Sequence, residues 1–144
     1  MGFSNVILKR RNWDTLLAEE LRKPRLFAWG SNDCCLFVGD VLKAMTGLDP
    51  AKAFRGRYTT ARGAYKELKS RGFSDVTDLA NKMATILGFK KVDINFARTG
   101  DIVSVKIDGR ISLGVVQREY GVFVGSSGYV YVNKTDVITA WAVE

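Results

Sequence analysis

The hydrophobic pattern of this chain changes its period once, and that change constrains the fold more than any other feature. Apolar side chains first recur at helical spacing, at Cys34, Phe37, Val38, Val41, Leu42 and Met45. Gly47 follows them as a typical helix end. After Gly100 the alternation has a period of two, and Asp108-Gly109 predicts a two-residue hairpin turn. A helical half followed by an antiparallel meander predicts an α+β fold.

Residues that favour helix ends and turns divide the rest of the chain. Three further helices are expected, each opened by a common capping residue: Asn12, Thr59 or Thr60, and Ser74 or Asp75. The expected strands cover residues 102–107, 110–117, 122–124, 129–132 and 137–143. The chain has 144 residues and shows no linker or internal repeat. We therefore expect one domain spanning 1–144, in which the N-terminal helices, including one at 33–46, pack on a C-terminal antiparallel sheet.

The absence of histidine excludes several classes of site. The Ser-His-Asp triad, the Cys-His dyad and histidine-bearing zinc sites all require that residue. The two cysteines, Cys34 and Cys35, are too few for a four-thiolate zinc site, so we expect no metal and no cofactor. They are adjacent on the helix, about 100° apart, which prevents a normal disulfide. The free thiols indicate synthesis in a reducing cytoplasm. The same is indicated by the lack of an apolar run long enough for a membrane span, and by an apolar stretch at the start that is too short for a signal peptide.

The net charge of +7 lies entirely in the first half of the chain, where residues 1–72 hold 14 basic and 7 acidic side chains. Such a face can attract nucleic acid, an anionic cell wall or an acidic protein, or can simply be solvated. Arg55, Arg57 and Tyr58 are interleaved within it. We rank an ordered loop first, with one arginine paired to a carboxylate and Tyr58 packed beneath. A protein interface ranks second and nucleic acid third, since no nucleic-acid-binding motif accompanies these residues.

Cys34 is the candidate nucleophile, because the open N–H groups and the dipole at a helix start favour a thiolate. The alternative, which we prefer, is a small buried apolar side chain on the helix face. Phe27, Trp29 and Trp141 can likewise line a groove beside Cys34 or belong to the core.

Three short motifs, in this order, resemble the NlpC-type branch of papain-fold cell-wall peptidases: Asp33-Cys34, Gly100-Asp101-Ile102-Val103 and Ser112-Leu113-Gly114-Val115-Val116. Over nearly its whole length the chain is also similar to a related, uncharacterised domain family of phages and prophages. That similarity rests on further motifs: Phe27-Ala28-Trp29-Gly30, Thr46-Gly47-Leu48-Asp49-Pro50, Arg55-Gly56-Arg57-Tyr58 and Ala140-Trp141. The resemblance implies a papain-like, NlpC-like fold with Cys34 in the nucleophile position. The candidate binding residues of the chain are Trp29, Asp33, Arg55, Arg57 and Tyr58.

The chain departs from the peptidase pattern where the family carries its histidine, because Ser112 stands there. A serine hydroxyl cannot accept a thiol proton near neutral pH, and the possible substitutes, Asp101 and Asp33, are carboxylates and hence weak bases. We therefore lean against an enzyme. We expect Ser112 to face Cys34, and Cys34 to react slowly because no imidazolium stabilises its thiolate.

The resemblance implies a virion protein: a structural component of a phage tail, at the tail tip, in the baseplate hub or in tail assembly, that binds other tail proteins through an inactive fold. One alternative is a peptidoglycan-cleaving cysteine hydrolase that takes its base from another chain. A further alternative is a nucleic-acid-binding accessory protein.

Overall fold

The computed structural model describes residues 8–144, which contain four α-helices and one six-stranded sheet. The helices are α1 (Trp13–Arg22), α2 (Cys34–Thr46), α3 (Ala61–Ser70) and α4 (Val76–Leu87). The strands are β1 (Lys90–Val92), β2 (Ile102–Ile107), β3 (Arg110–Gln117), β4 (Tyr120–Gly125), β5 (Gly128–Asn133) and β6 (Thr139–Ala142). The expected α+β class is confirmed.

The expectation of no signal peptide rests partly on residues 1–7, which lie outside the described residues. Within 8–144, no helix combines the length and the apolar character that crossing a membrane requires.

Local sequence signals account for most of the helix ends. Asp33, Thr60 and Asp75 each accept a hydrogen bond from an N–H group in the first turn of α2, α3 and α4 respectively. Gly47 ends α2 in the left-handed conformation, with a φ of 88°. Asn12 does precede α1, but its side chain makes no capping hydrogen bond, so the capping role expected for it is wrong.

The sheet is antiparallel throughout, with the strand order β1-β6-β2-β3-β4-β5. Strands β2 to β5 form a meander in chain order, as the turn signals predicted. The last strand, β6, returns across the sheet to pair with both β2 and β1. It is shorter than the predicted stretch of 137–143, and β1 was not predicted.

The core forms in three places. The largest cluster lies between α2 and one sheet face, where Phe37, Val41 and Met45 are fully buried as the helical spacing predicted. A second cluster packs α3 and α4 against Leu36 of α2. A third cluster buries the opposite sheet face, around Phe123. The first two clusters place α2 as the central helix, and its N-terminus lies beside β3.

Candidate functional site

Cys34, the first residue of α2, lies in the wall of a cavity of about 440 Å³. That volume falls in the range of small-molecule pockets, roughly 300–1,000 Å³. The lining is mainly apolar and includes five aromatic side chains: Phe27, Trp29, Phe54, Tyr58 and Tyr65. Cys34 is half-buried and packs against the largest core cluster as well. It is therefore a core contact and a cavity residue at once.

Strand β3 brings Ser112 to the same cavity, close enough to Cys34 for its hydroxyl to influence the pKa of the thiol. The next residue, Leu113, contacts that sulfur through its backbone. Cys34 and Ser112 thus line one cavity. In a histidine-bearing site this position would supply a proton acceptor, whereas here it supplies a hydroxyl donor.

These polar neighbours lower the pKa of the Cys34 thiol. The hydrogen bond with the Cys35 thiol contributes most; burial acts in the opposite direction, and Leu113 and Ser112 lower the pKa further. The same hydrogen bond, together with burial, raises the pKa of Cys35 well above its ordinary value. Both cysteines are free thiols, and Cys34 is the one that ionises first. The expected slow reaction of Cys34 concerns a rate, which the direction of this shift does not measure, and it stays a prediction.

Asp33 fixes the N-terminus of α2. Its Oδ1 accepts a hydrogen bond from the Leu36 N–H at 3.1 Å, and its Oδ2 accepts one from the Gly30 N–H at 3.0 Å. The Tyr58 hydroxyl donates a third, at 2.7 Å, to Oδ2. Burial and this hydrogen bond raise the pKa of Tyr58. Because both oxygens of Asp33 are occupied and the residue is only 2% exposed, its carboxylate is not available as a base for Cys34.

Asp101 lies outside the Cys34 cavity. It is buried, and its carboxylate accepts hydrogen bonds from the backbone N–H groups of Arg98 at 2.8 Å and Val143 at 3.1 Å. Burial raises the pKa of Asp101, and these two hydrogen bonds act against that shift. The side chain joins the turn before β2 to the chain after β6, which is a structural connection.

The two arginines of the 54–58 loop have different environments. Arg55 pairs with Asp49 through Nε at 2.7 Å and with Asp40 at 2.7 Å. Asp40 also pairs with Arg25 at 2.6 Å, so the loop is tied to α2 and to the chain before it. Arg57 is exposed, and its guanidinium forms no salt bridge within residues 8–144. The ordered-loop arrangement therefore describes Arg55 and Tyr58, while Arg57 is open to solvent.

The aromatic residues near Cys34 divide between the cavity and the core. Phe27 and Trp29 line the cavity, with their rings edge to face at a centroid distance of 4.8 Å. Trp141 is instead buried in the core, where its Nε1 donates to Asn81 at 3.2 Å. The sequence analysis missed Arg110, whose guanidinium lies over the Trp29 ring at 5.7 Å. The strand alternation that places it two residues before Ser112 could have identified it.

One known protein family matches the part of the chain that contains the Cys34 cavity. The family model of a domain of unknown function, DUF6950, matches residues 8–143. The chain belongs to this family. No curated protein and no solved structure matches it. Because the match includes α2 and β3, the Cys34 cavity is part of the DUF6950 domain itself.

Proposed function

We propose that this protein is a structural component of a phage tail, at the tip or hub or in tail assembly, and that it binds other tail proteins through an NlpC-like fold without cleaving peptidoglycan. The observation that carries the proposal is the chemistry around Cys34. Its sulfur has hydrogen-bond donors beside it, the hydroxyl of Ser112 among them, and no available proton acceptor among residues 8–144.

Amide cleavage by a cysteine needs a group that takes up the thiol proton and later gives a proton to the leaving amine. The chain has no histidine, and the Asp33 carboxylate is already bound by Leu36, Gly30 and Tyr58. Donors alone stabilise a thiolate, but none of them takes up the thiol proton and then returns it to the leaving amine. The site thus suits binding and not turnover.

The cavity offers a surface for such binding. Its aromatic lining, together with Arg110 over Trp29 at 5.7 Å, has the residue types that contribute most to protein interfaces. The exposed Arg57, next in sequence to Tyr58 of the lining, adds a guanidinium that forms no salt bridge within residues 8–144. A side chain or a short segment of a tail protein is the occupant that this role requires.

Quantitative mass spectrometry of tail-assembly intermediates and purified particles tests the proposal. We expect a fixed ratio of this chain to the other tail proteins in one or both. Trp29→Ala should lower its incorporation, whereas Cys34→Ala and the control Phe96→Ala, at a residue that is 75% exposed and outside the cavity, should leave it unchanged. Absence of the chain from intermediates and particles alike would overturn the proposal.

The second candidate function is a peptidoglycan hydrolase whose base comes from a neighbouring chain. The lowered pKa of Cys34 and the open cavity beside it favour this alternative. It requires Cys34 for infectivity, whereas the tail-component proposal predicts full infectivity for Cys34→Ala. The change should cost about 1 kcal/mol or less of stability, because it creates only a small cavity.

A further inference from the structure

The two edges of the sheet differ in length and in charge. At one edge β1 has only three residues, and two of them are the exposed Lys90 and Lys91. At the other edge β5 has six residues, and its sequence Gly-Tyr-Val-Tyr-Val-Asn carries no charge. Short strands and lysines are features that prevent an edge from pairing with another chain. The edge at β1 is protected in this way and the edge at β5 is not.

The outer side of β5 is open within residues 8–144, because β5 pairs there only with β4. In an antiparallel pair, alternate N–H and C=O groups of an edge strand point away from its neighbour. Two apolar side chains of β5 are exposed, Val130 by 37% and Tyr131 by 59%, and Tyr120 of the neighbouring β4 is 45% exposed, whereas Tyr129 and Val132 are half-buried. Tyr120 and Tyr131 stack edge to face, with centroids 6.3 Å apart. An uncharged edge strand with exposed apolar side chains is a pairing surface.

We infer that β5 pairs antiparallel with β5 of a second copy of this chain, which joins the two sheets into one. A two-fold axis between two edge strands runs perpendicular to the sheet and therefore keeps each face continuous. Side chains of the same face meet, so that tyrosine lies opposite tyrosine and valine opposite valine. Aromatic cross-strand pairs are favourable, and no like charges face each other.

The charge distribution favours a second copy over a partner of strong charge. Residues 73–144, which include the whole meander, hold eight basic and eight acidic side chains. The strand itself is neutral, so an acidic or basic partner strand would find no complementary charge on β5. A neutral, self-complementary strand is what an isologous contact requires. This inference does not depend on the Cys34 cavity or on a tail role.

Sedimentation velocity of the full chain, from micromolar to sub-millimolar concentration, tests the pairing. We expect a reversible monomer–dimer equilibrium whose dissociation constant Tyr131→Lys raises by about tenfold or more, since it removes an aromatic pair and brings two like charges opposite or diagonally across from each other. Ile86→Lys is the control, because Ile86 on α4 is 48% exposed and lies away from β5. A monomer at all concentrations, or equal weakening by both variants, would overturn the inference.

Disulfide cross-linking gives a second, independent readout. In an antiparallel pair with two-fold symmetry, one residue lies on the axis, directly opposite its own copy in the partner. The two registers that pair the most residues of β5 place either Val130 or Tyr131 on that axis. Opposed Cα atoms are about 4.5–5.5 Å apart, which a disulfide can span. In a background with Cys34→Ser and Cys35→Ser, oxidation should link either Val130→Cys or Tyr131→Cys into dimers, and one far faster than the other. Failure of both to link, or equal slow rates, would contradict the pairing.

Discussion

Replacing Tyr58 by phenylalanine removes one of the three hydrogen bonds that hold the buried carboxylate of Asp33. The Tyr58 hydroxyl donates at 2.7 Å, and Asp33 is 2% exposed, so water has little access to replace it. A hydrogen bond to a charged group contributes roughly 1.5–3 kcal/mol. We therefore expect Tyr58→Phe to lower the free energy of unfolding by about 1.5–3 kcal/mol.

Urea unfolding followed by circular dichroism measures this loss, with an unchanged m-value as the sign that only stability has changed. The matched control is Tyr65→Phe, because Tyr65 lines the same cavity and its hydroxyl has no hydrogen-bond partner within residues 8–144. The control should change stability by less than about 0.5 kcal/mol. If both variants lose the same small amount, the assigned role of the Tyr58–Asp33 bond is wrong.

The pH dependence of the same variant provides a sign test. Burial and the bond to Asp33 raise the pKa of Tyr58, so the folded state keeps a proton that the unfolded chain loses near pH 10. The stability contributed by Tyr58 is full below about pH 10 and declines as the pH rises above it. The difference between wild type and Tyr58→Phe should shrink over that interval. A constant difference would contradict the raised pKa.

The remaining predictions concern the loop and the thiol. Arg55→Gln should lower the free energy of unfolding in urea by about 1–2 kcal/mol, because it breaks two partly exposed ion pairs, whereas Arg57→Gln should leave it almost unchanged. We expect the wild type and both variants alike to show negligible retention on DNA at physiological salt. Gly30→Ala should be more damaging, since Gly30 has a φ of 82° and an added Cβ would lie 1.8 Å from the Tyr58 carbonyl oxygen; a melting temperature equal to that of wild type would refute this. Ser112→His should shift the pH profile of Cys34 alkylation to lower pH and speed the reaction near neutrality, and an unchanged profile would show that residue 112 does not reach the sulfur.

The hairpin of β2 and β3 was predicted with its bounds, because local turn chemistry determines it. Asp108 and Gly109 both take positive φ, 50° and 78°, as the two-residue turn requires. The alternation on either side then sets both strands. In the same way, Asp33 and Gly47 delimit α2 by local capping, so its bounds could be predicted from the sequence.

The short edge strand β1 could not be predicted in this way. Lys90 and Lys91 have no strand preference, and their extended conformation depends on pairing with Ala142 and Trp141 of β6. The position of β6 between β1 and β2 likewise depends on tertiary packing, which no local sequence pattern encodes.

At the site, motif order predicted that Ser112 would lie at Cys34, but the electrostatics depended on three-dimensional detail. The lowered pKa of Cys34 arises from Cys35 and from the backbone of Leu113 as well as from Ser112. Backbone contacts of this kind leave no signature in residue identity. The choice between Arg55 and Arg57 as the paired arginine was equally open until the positions of the carboxylates were known.

We propose that the Cys34 cavity does not supply the proton transfers that amide cleavage needs. The most direct measurement is the time course of amine release from purified peptidoglycan, by the isolated protein and by intact particles that contain it. We predict that both wild-type samples match their Cys34→Ala counterparts. Amine release that continues over many turnovers in either wild-type sample and is lost in Cys34→Ala would show that the cavity does catalyse cleavage.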